Sequence, residues 1–242
     1  MREILLVTGA SSDIGSKFIQ ETADDYSFIW AHYCHSFGRI EELQMQFKEK
    51  IIPIRADFQK EEEIENVLAS IKEDGRIPHS ILHIPAQPMQ YINFEKLSWE
   101  DYEAQIHISV KSVQMILEGI LPYLLADHKG HILFLLSACT VGAPPKYLGA
   151  YCTVKYALLG MMKALSIETA DKGIVVNGIS PEMIETRFLN DLPHLIVDKS
   201  AKDSPIGRNL NIDDIIPVMK MLLSDKNVAI TGENIPIAAG KR

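Results

Sequence analysis

The sequence predicts an α/β fold in which helices flank both faces of a doubly wound, seven-stranded parallel sheet. Three observations predict it. Short apolar or β-branched runs recur along the chain, as expected for strands that are buried on both faces. Longer segments of helical period separate these runs and provide the crossovers that parallel strands require. The first run leads directly into a glycine-containing turn, TGASSDIG at residues 8–15.

Seven runs have the composition of strands. They span residues 3–7, 27–33, 50–55, 80–84, 131–136, 173–179 and 233–238. The segment 151–173 has the broad apolar face of one long helix, which Gly173 ends, and residues 109–127 are similar.

A chain of 242 residues with 47% hydrophobic content suits one large core. We therefore predict a single Rossmann-type domain over residues 1–242. Residues 182–210 form the one long irregular stretch, which we interpret as a substrate loop or lid. Its side chains suggest an apolar wall or simple packing onto the body, through Phe188, Leu189, Leu192 and Leu195.

Composition excludes several classes of partner. The formal net charge is −8 and basic residues are not clustered, which argues against nucleic acid. Apolar runs fall short of the roughly 18 residues that span a bilayer, and no signal peptide is recognisable at the start. Cys34, Cys139 and Cys152 lack the spacing of a disulfide framework or a metal site. We expect a cytoplasmic protein that holds no metal and acts on small molecules or other proteins.

The turn at residues 8–15 has the composition of one that receives a dinucleotide pyrophosphate. Gly9 and Gly15 permit the tight bend and the close packing of the following helix on the strand. Asp57 follows the third strand, where its carboxylate can accept a hydrogen bond from an adenine amine or can cap the next helix. These features predict a cofactor site at this end of the sheet.

The end of the second strand bears on the choice of cofactor. A site selective for NAD normally has an acidic residue there, which binds the ribose hydroxyls, and this chain has none. The groups available for a 2′-phosphate are Ser36, Arg39 and two histidines, His32 and His35. This composition slightly favours NADP(H) over NAD(H).

A second group of residues predicts chemistry. Tyr151 and Lys155 lie four residues apart and therefore on one face of the long helix, where an ammonium group can favour ionisation of a phenol. Ser137 ends the fifth strand, and ligands in this architecture bind at the carboxyl ends of parallel strands. A hydroxyl there can hydrogen-bond a substrate carbonyl while Tyr151 donates a proton.

Together these motifs resemble the short-chain dehydrogenases/reductases over nearly the whole chain, from Ile4 to Gly240. The resemblance implies that Tyr151 is the general acid or base, that Lys155 holds the nicotinamide ribose and lowers the tyrosine pKa, and that Ser137 orients the substrate. Ser109 falls where the family has a fourth catalytic residue, an asparagine that holds a water molecule. The cofactor contacts implied are Thr8, Gly9, Ser11, Ser12, Asp13, Ile14, Gly15, Tyr33, His35, Ser36, Asp57, Phe58, Pro85, Ala86, Tyr151, Lys155, Pro181, Ile184 and Thr186.

The resemblance also implies an activity: NAD(P)(H)-dependent hydride transfer between nicotinamide and a carbonyl or secondary alcohol. By pattern the chain looks most like the 3-oxoacyl-[acyl-carrier-protein] reductases, so the substrate is expected to be a small molecule or an acyl-carrier-linked carbonyl compound, such as a 3-oxoacyl thioester. Lys129 and Lys172 can meet an acidic carrier protein or can be solvated surface. The resemblance further implies a homo-oligomer, either a tetramer or a dimer.

Four departures from the family pattern favour an alternative, a catalytically impaired protein that acts as a binding or hetero-oligomer partner. Asp13 replaces a turn glycine, the segment 84–87 reads Ile-Pro-Ala-Gln instead of Asn-Asn-Ala-Gly, Ser109 replaces the asparagine, and Glu182 replaces a glycine. The Asp13 carboxylate can cap the helix that it precedes, or it can point inward and repel the pyrophosphate. At about 4 Å that repulsion is about 4 kcal/mol at an effective dielectric constant near 20.

Overall fold

Seven parallel strands form one sheet at the centre of the computed structural model, which describes residues 3–241. The predicted doubly wound class is confirmed, and each predicted strand is present within two residues of its predicted bounds. Residues 1, 2 and 242, which the predicted domain includes, lie outside the described residues. The strands are β1 Glu3–Thr8, β2 Tyr26–Tyr33, β3 Ile51–Arg55, β4 Ser80–His83, β5 Gly130–Leu135, β6 Ile174–Pro181 and β7 Asn234–Ile237.

The strand order is β3-β2-β1-β4-β5-β6-β7. The chain therefore adds β2 and β3 on one side of β1, and then places β4 on the other side of β1 and adds β5, β6 and β7 beyond it. The loops after these two strands diverge and leave a crevice at their carboxyl ends, which is where doubly wound sheets bind ligands.

Two hydrophobic cores cover the two faces of the sheet. Along β1, Leu5 and Val7 point into one core and Leu6 points into the other. Both faces of the strand are buried, which explains why consecutive residues are apolar. The first core is covered by α1 Asp13–Thr22, α2 Phe37–Phe47 and α8 Ile216–Leu222. The second is covered by α3 Glu61–Asp74, α5 Ser112–Asp127 and α6 Gly149–Thr169.

The helix predicted to begin at residue 109 begins ten residues earlier, at Trp99. Ser98 and Asp101 form a capping box at its start, a signal that is present in the sequence. The first turns are more polar, so apolar periodicity does not mark them. The helix continues from α4 Trp99–Ile106 through a π-helical turn, His107–Lys111, into α5.

Residues Trp99–Asp127 form a helix that is long and apolar enough to cross a membrane by length and composition alone. Its apolar residues have another explanation, because Val113, Ile116 and Ile120 are buried against the sheet in the second core. A helix that packs in a protein core passes the same test.

The long helix α6 ends as predicted. It is followed by a 3₁₀ turn, Ala170–Lys172, and by Gly173, whose φ of 74° is the left-handed conformation that favours glycine. The stretch 182–210, which we predicted to be irregular, instead contains a 3₁₀ turn, Arg187–Leu189, and the helix α7 His194–Asp203. A parallel bridge between Ile184 and Leu210 joins the two ends of this stretch, so the stretch forms a short helical loop beside the crevice.

Candidate active site

A cavity of about 1560 Å³ lies at the carboxyl ends of the strands. It extends from the turn after β1 to the first turn of α6, a space large enough for a dinucleotide together with a substrate. Most of the predicted site residues line it. These are Gly9, Ser11, Ser12, Asp13, Ile14, His35, Ser36, Asp57, Phe58, Pro85, Ala86, Ser137, Tyr151, Lys155, Pro181, Ile184 and Thr186.

Four predicted residues lie behind the cavity wall instead of on it. Thr8 is buried between β1 and β4, and Tyr33 packs against the Phe37 ring at a centroid distance of 5.3 Å. Gly15 lets α1 approach the turn, since a Cβ there would lie 2.5 Å from the Gly9 carbonyl oxygen. Ser109 is fully buried. Each of the four supports residues that do form the wall.

The turn after β1 presents the start of α1 to the cavity. Gly9 has a φ of 76°, which allows the bend, and the Ser12 hydroxyl caps α1 by accepting a hydrogen bond from the Gly15 N–H at 3.0 Å. Free backbone N–H groups at a helix N-terminus bind anions such as phosphate. The turn therefore has the geometry of a phosphate-binding site, and its residues fit the dinucleotide that the sequence predicts.

Asp13 follows neither of the two alternatives that we considered. Ser12 is the helix cap, and the Asp13 carboxylate binds two arginines instead of pointing bare into the phosphate site. Its Oδ2 accepts the backbone N–H of Arg187 at 2.7 Å, its Oδ1 accepts Arg187 Nε–H at 3.1 Å, and Arg39 contacts Oδ1 as well. Burial raises the pKa of this carboxyl, but the bonds from Arg187 and Arg39 outweigh burial and lower it. Asp13 is thus a paired carboxylate.

His32 is not available for a 2′-phosphate, because it is buried beneath the phosphate turn. Its Nδ1 accepts the Gly9 N–H at 3.1 Å, its Nε2–H donates to the Ala56 carbonyl at 3.0 Å, and its ring stacks on Phe58 at 3.9 Å. Burial lowers the pKa of His32 to about 4, so the ring is neutral near pH 7. His32 supports the turn through Gly9, a role that its position in the sequence did not reveal.

Asp57 lies on the cavity wall beyond His32, at the end of the cavity where adenine is expected. It does not cap α3, whose cap residue is Lys60. Its Oδ1 instead accepts the Gln59 N–H at 3.0 Å, which is a local turn contact, and its own N–H donates to Glu63 Oε2 at 2.6 Å. The capping alternative is therefore wrong.

Three predicted residues, Tyr151, Ser137 and Lys155, meet at the other end of the cavity, which we call the chemical end. The Ser137 side chain lies close enough to the Tyr151 hydroxyl to lower its pKa, and Lys155 Nζ lies 5.7 Å from the centre of the Tyr151 ring. Lys155 donates to the Leu135 carbonyl at 2.6 Å, and burial lowers its pKa to about 8. The spacing thus brings together the three groups that it predicted.

The predicted lowering of the Tyr151 pKa by Lys155 is not found in this structure. Burial raises the pKa of Tyr151 well above its ordinary value, and the Ser137 side chain offsets only part of that effect. In this structure the phenol is therefore held in its protonated form, and desolvation is the dominant influence on its acidity.

His83, which sequence reasoning missed, links the chemical end to the centre of the sheet. A π-turn leaves carbonyls for partners outside the helix, and the Ser109 carbonyl accepts His83 Nε2–H at 2.9 Å. A carbonyl can only accept, so Nδ1 is unprotonated and accepts the Thr8 hydroxyl at 2.9 Å. Burial and the charge of Lys155 lower the pKa of His83 to about 3. The Ser109 hydroxyl donates to the Pro85 carbonyl at 3.1 Å, so both the hydroxyl and the carbonyl of Ser109 have protein partners.

The nicotinamide end of the cavity is closed by the segment after β6. Phe188 lies 6.2 Å from the Tyr151 ring, and Leu192 packs with Met89 and Leu148 into a small apolar cluster beside the cavity. Leu195 is 76% exposed and is not part of this wall, which corrects its predicted role. The cluster also buries Cys139, and the neighbouring Cys152 thiol lowers the pKa of Cys139.

Glu182, another departure from the family pattern, has a local partner. Glu182 Oε2 accepts Lys241 Nζ at 3.3 Å, so a carboxylate at this position is paired at the edge of the cavity. Thr186 precedes the turn Arg187–Leu189 and lies on the cavity wall. Within residues 3–241, no group of three or more His, Cys, Asp or Glu side chains is arranged to hold a metal ion.

Comparison with known proteins agrees with this geometry. A family model described as enoyl-(acyl carrier protein) reductase matches residues 9–241. A 3-oxoacyl-[acyl-carrier-protein] reductase of Thermotoga maritima is 26% identical over 98% of this chain and 97% of its own, and the Salmonella typhimurium oxidoreductase UcpA is 25% identical over 97% and 92%.

Solved structures share the fold at lower identity. A putative gluconate dehydrogenase from Agrobacterium tumefaciens superposes with a TM-score of 0.89 at 19% identity, covering 98% of this chain and 95% of its own. ElxO with NADP bound gives a TM-score of 0.87 at 23% identity, covering 99% and 98%. The chain therefore belongs to the short-chain dehydrogenase/reductase family of Rossmann-fold, NAD(P)-dependent oxidoreductases.

Proposed function

We propose that this protein binds NADP(H) or NAD(H) along the cavity and transfers a hydride between the nicotinamide and a carbonyl or secondary alcohol substrate. One observation carries the proposal: Ser137, Tyr151 and Lys155 converge in the cavity that also contains the phosphate turn. The bound nicotinamide supplies the hydride. The protein's task is to place a carbonyl carbon beside it and to exchange a proton with the carbonyl oxygen.

Tyr151 can exchange a proton with the substrate oxygen in either direction of the reaction. At neutral pH its phenol is protonated, so it can donate the proton that carbonyl reduction requires. Ser137 can donate a second hydrogen bond to the same oxygen and stabilise the negative charge that develops on it. Lys155 has further N–H donors beyond its bond to Leu135, and these suit the ribose hydroxyls of the nicotinamide.

NADP(H) is the cofactor that the adenosine end favours, and ElxO, of similar fold, was solved with NADP bound. Ser36 precedes α2, lines the cavity and makes no side-chain bond to cap the helix. Its hydroxyl and the free N–H groups at the start of α2 can receive a 2′-phosphate. Arg39, a predicted candidate for this role, is bound to Asp13 instead.

The substrate that we propose is a carbonyl compound with an apolar chain, such as a 3-oxoacyl thioester. The apolar cluster of Met89, Leu148 and Leu192 provides a wall beside Tyr151 that suits such a chain. Lys129 and Lys172 add little support for a carrier protein, because they pair with Asp225 and Asp171 on the surface. The homo-oligomer, which light scattering after size exclusion would measure, and the cytoplasmic location stay predictions.

Titration of the purified protein with NADPH and NADH, followed by nucleotide fluorescence, tests the cofactor part of this proposal. Saturable binding of at least one cofactor is expected. Absence of binding of both at millimolar concentration would overturn the proposal and favour the alternative, a non-catalytic partner that retains the fold.

Tyr151→Phe tests the catalytic part. Removing the hydroxyl eliminates the proton donor and is expected to lower kcat by about 10²- to 10⁴-fold, with the Kd of the cofactor nearly unchanged. Tyr156→Phe is the matched control, since Tyr156 lies on the same helix but is exposed and does not line the cavity. Full activity in Tyr151→Phe would rule out Tyr151 as the acid.

A further inference from the structure

We propose that Arg187 is a ligand of the dinucleotide pyrophosphate and that Asp13 is the positioning residue that holds it there. This inference rests on the proposed function, because it assigns residues to the cofactor site of that function. Asp13 stands where the family has a glycine. Its carboxylate is thereby not an obstacle to the cofactor but the anchor for a cation that the family pattern lacks.

The first step is the location of the Arg187 side chain. Besides its bond to Asp13, Arg187 directs Nη2 toward the Ser11 carbonyl at 3.5 Å, so the guanidinium lies across the turn that receives the pyrophosphate. Its side chain is 57% exposed and lines the cavity. These contacts leave N–H donors of the guanidinium unused, and a planar guanidinium suits the oxygens of a phosphate.

The second step is the charge of this group. One carboxylate, Asp13, contacts two guanidinium groups, Arg39 and Arg187, so two positive charges and one negative charge leave a net charge of +1 beside the start of α1. A bare aspartate at this position would repel a phosphate, but this cluster attracts one. The bond from the Arg187 side chain keeps the cation at the turn before any cofactor arrives, which lowers the cost of ordering it on binding.

The third step is the connection along the chain. Arg187 lies between Thr186, on the wall at the nicotinamide end, and Phe188, whose ring contacts Tyr151. The bond from the Arg187 backbone N–H to Asp13 fastens this segment to the phosphate turn, and the Phe188 ring packs the same segment against Tyr151. Asp13 holds both the backbone and the side chain of Arg187, whereas replacing Arg187 removes only the side-chain contact.

Binding of NADPH and NADH to Asp13→Asn, Arg187→Gln and the double variant tests the proposal. Arg187→Gln is expected to raise the Kd of both cofactors by about tenfold, and by the same factor, because both carry the pyrophosphate. Arg187→Lys should recover part of the loss. Asp13→Asn should also raise both Kd values. The double variant should have about the same Kd as the single variant that binds less tightly, because the two residues act together.

Amide hydrogen exchange over residues 184–192 provides a readout that does not depend on activity. Asp13→Asn should speed exchange there, and Arg187→Gln should do so less, because it keeps the backbone bond. Arg208→Gln and Asp213→Asn are matched controls, since both residues form surface ion pairs away from the cavity. Thermal unfolding of each variant verifies that it is folded.

The direction of the effect decides the question. Tighter cofactor binding by Asp13→Asn would mean that the carboxylate excludes phosphate, and it would overturn the proposal. Unchanged binding by Arg187→Gln would also overturn it while leaving the proposed function intact. Failure of the unaltered protein to bind either cofactor would instead refute the proposed function and this inference together.

Discussion

At the phosphate end of the cavity the family pattern is broken in the sequence, yet the turn keeps its bend and the capped start of α1. At the chemical end Tyr151, Lys155 and Ser137 keep the pattern, while Ser109 departs from it. His32 binds Gly9, and Asp13 binds two arginines where the family has a turn glycine. Tyr151, Ser137 and Lys155 meet as predicted, beside a π-turn held by His83. The comparison teaches that a departure from the motif has to be interpreted together with the contacts that the replacing residue makes.

Gly15→Ala is expected to damage the phosphate end most. The new Cβ would lie 2.5 Å from the Gly9 carbonyl oxygen and 2.9 Å from Ala10 Cα, and backbone atoms cannot yield as a side chain can. Overpacking of this kind lowers the free energy of unfolding by about 3 kcal/mol, and displacement of α1 should weaken cofactor binding. Chemical denaturation and a cofactor titration measure the two effects.

Gly160→Ala is the matched control for this change. Gly160 lies in α6, and a Cβ there would have nothing within 4 Å. Because alanine is the better helix former, this variant should be more stable by up to about 1 kcal/mol. If Gly15→Ala were as stable as the unaltered protein and bound cofactor equally well, the close packing of α1 on the turn would not be what shapes the phosphate site.

Acid stability compares the two ends through their buried histidines. The folded-state pKa is about 4 for His32 and about 3 for His83, below the ordinary value of 6.5, so the unfolded chain takes up protons first as the pH falls. The contribution of the two neutral histidines to the free energy of unfolding is fully present above pH 6.5 and is lost as the pH falls toward 4. Each histidine contributes about 1.4 kcal/mol per pH unit to that loss, or about 3 kcal/mol per unit together.

Denaturant unfolding between pH 7 and pH 4 tests this expectation. His32→Asn should remove about half of the slope and His83→Asn the other half, although each variant is expected to be less stable at pH 7, because a buried hydrogen bond is lost. The exposed His194 provides the control, as His194→Asn. An unchanged slope in both buried-site variants would mean that neither histidine is held neutral in the folded protein.

The fold and the chemical end could be predicted because they depend on spacing. A helix places residues four apart on one face, and parallel strands end at one edge, so Tyr151, Lys155 and Ser137 had to approach one another. The acidity of Tyr151 depends on burial, which spacing does not encode. The start of the helix at Trp99 was readable from the capping box of Ser98 and Asp101, but only by a search that did not require an apolar face.

The phosphate end could not be predicted because side-chain direction decides it. Asp13 had two expected orientations and took a third, toward an arginine that is 174 positions away along the chain. His32 and His83 are single residues whose hydrogen-bond partners belong to other elements, and no sequence spacing relates them. Such contacts arise from tertiary packing, which overrides local preference.

Ser36→Ala is expected to have the smallest effect, and it sharpens the comparison at the adenosine end. If Ser36 hydrogen-bonds a 2′-phosphate, its loss removes about 1 to 2 kcal/mol from NADPH binding, a roughly five- to thirtyfold rise in Kd, and leaves NADH binding unchanged. The ratio of the two Kd values isolates this effect, because Arg187→Gln should leave that ratio constant. The exposed Ser70 on α3 is the control, as Ser70→Ala, and both ligands should bind it normally. An equal loss for NADPH and NADH in Ser36→Ala would show that the hydroxyl stabilises α2 and does not select the cofactor.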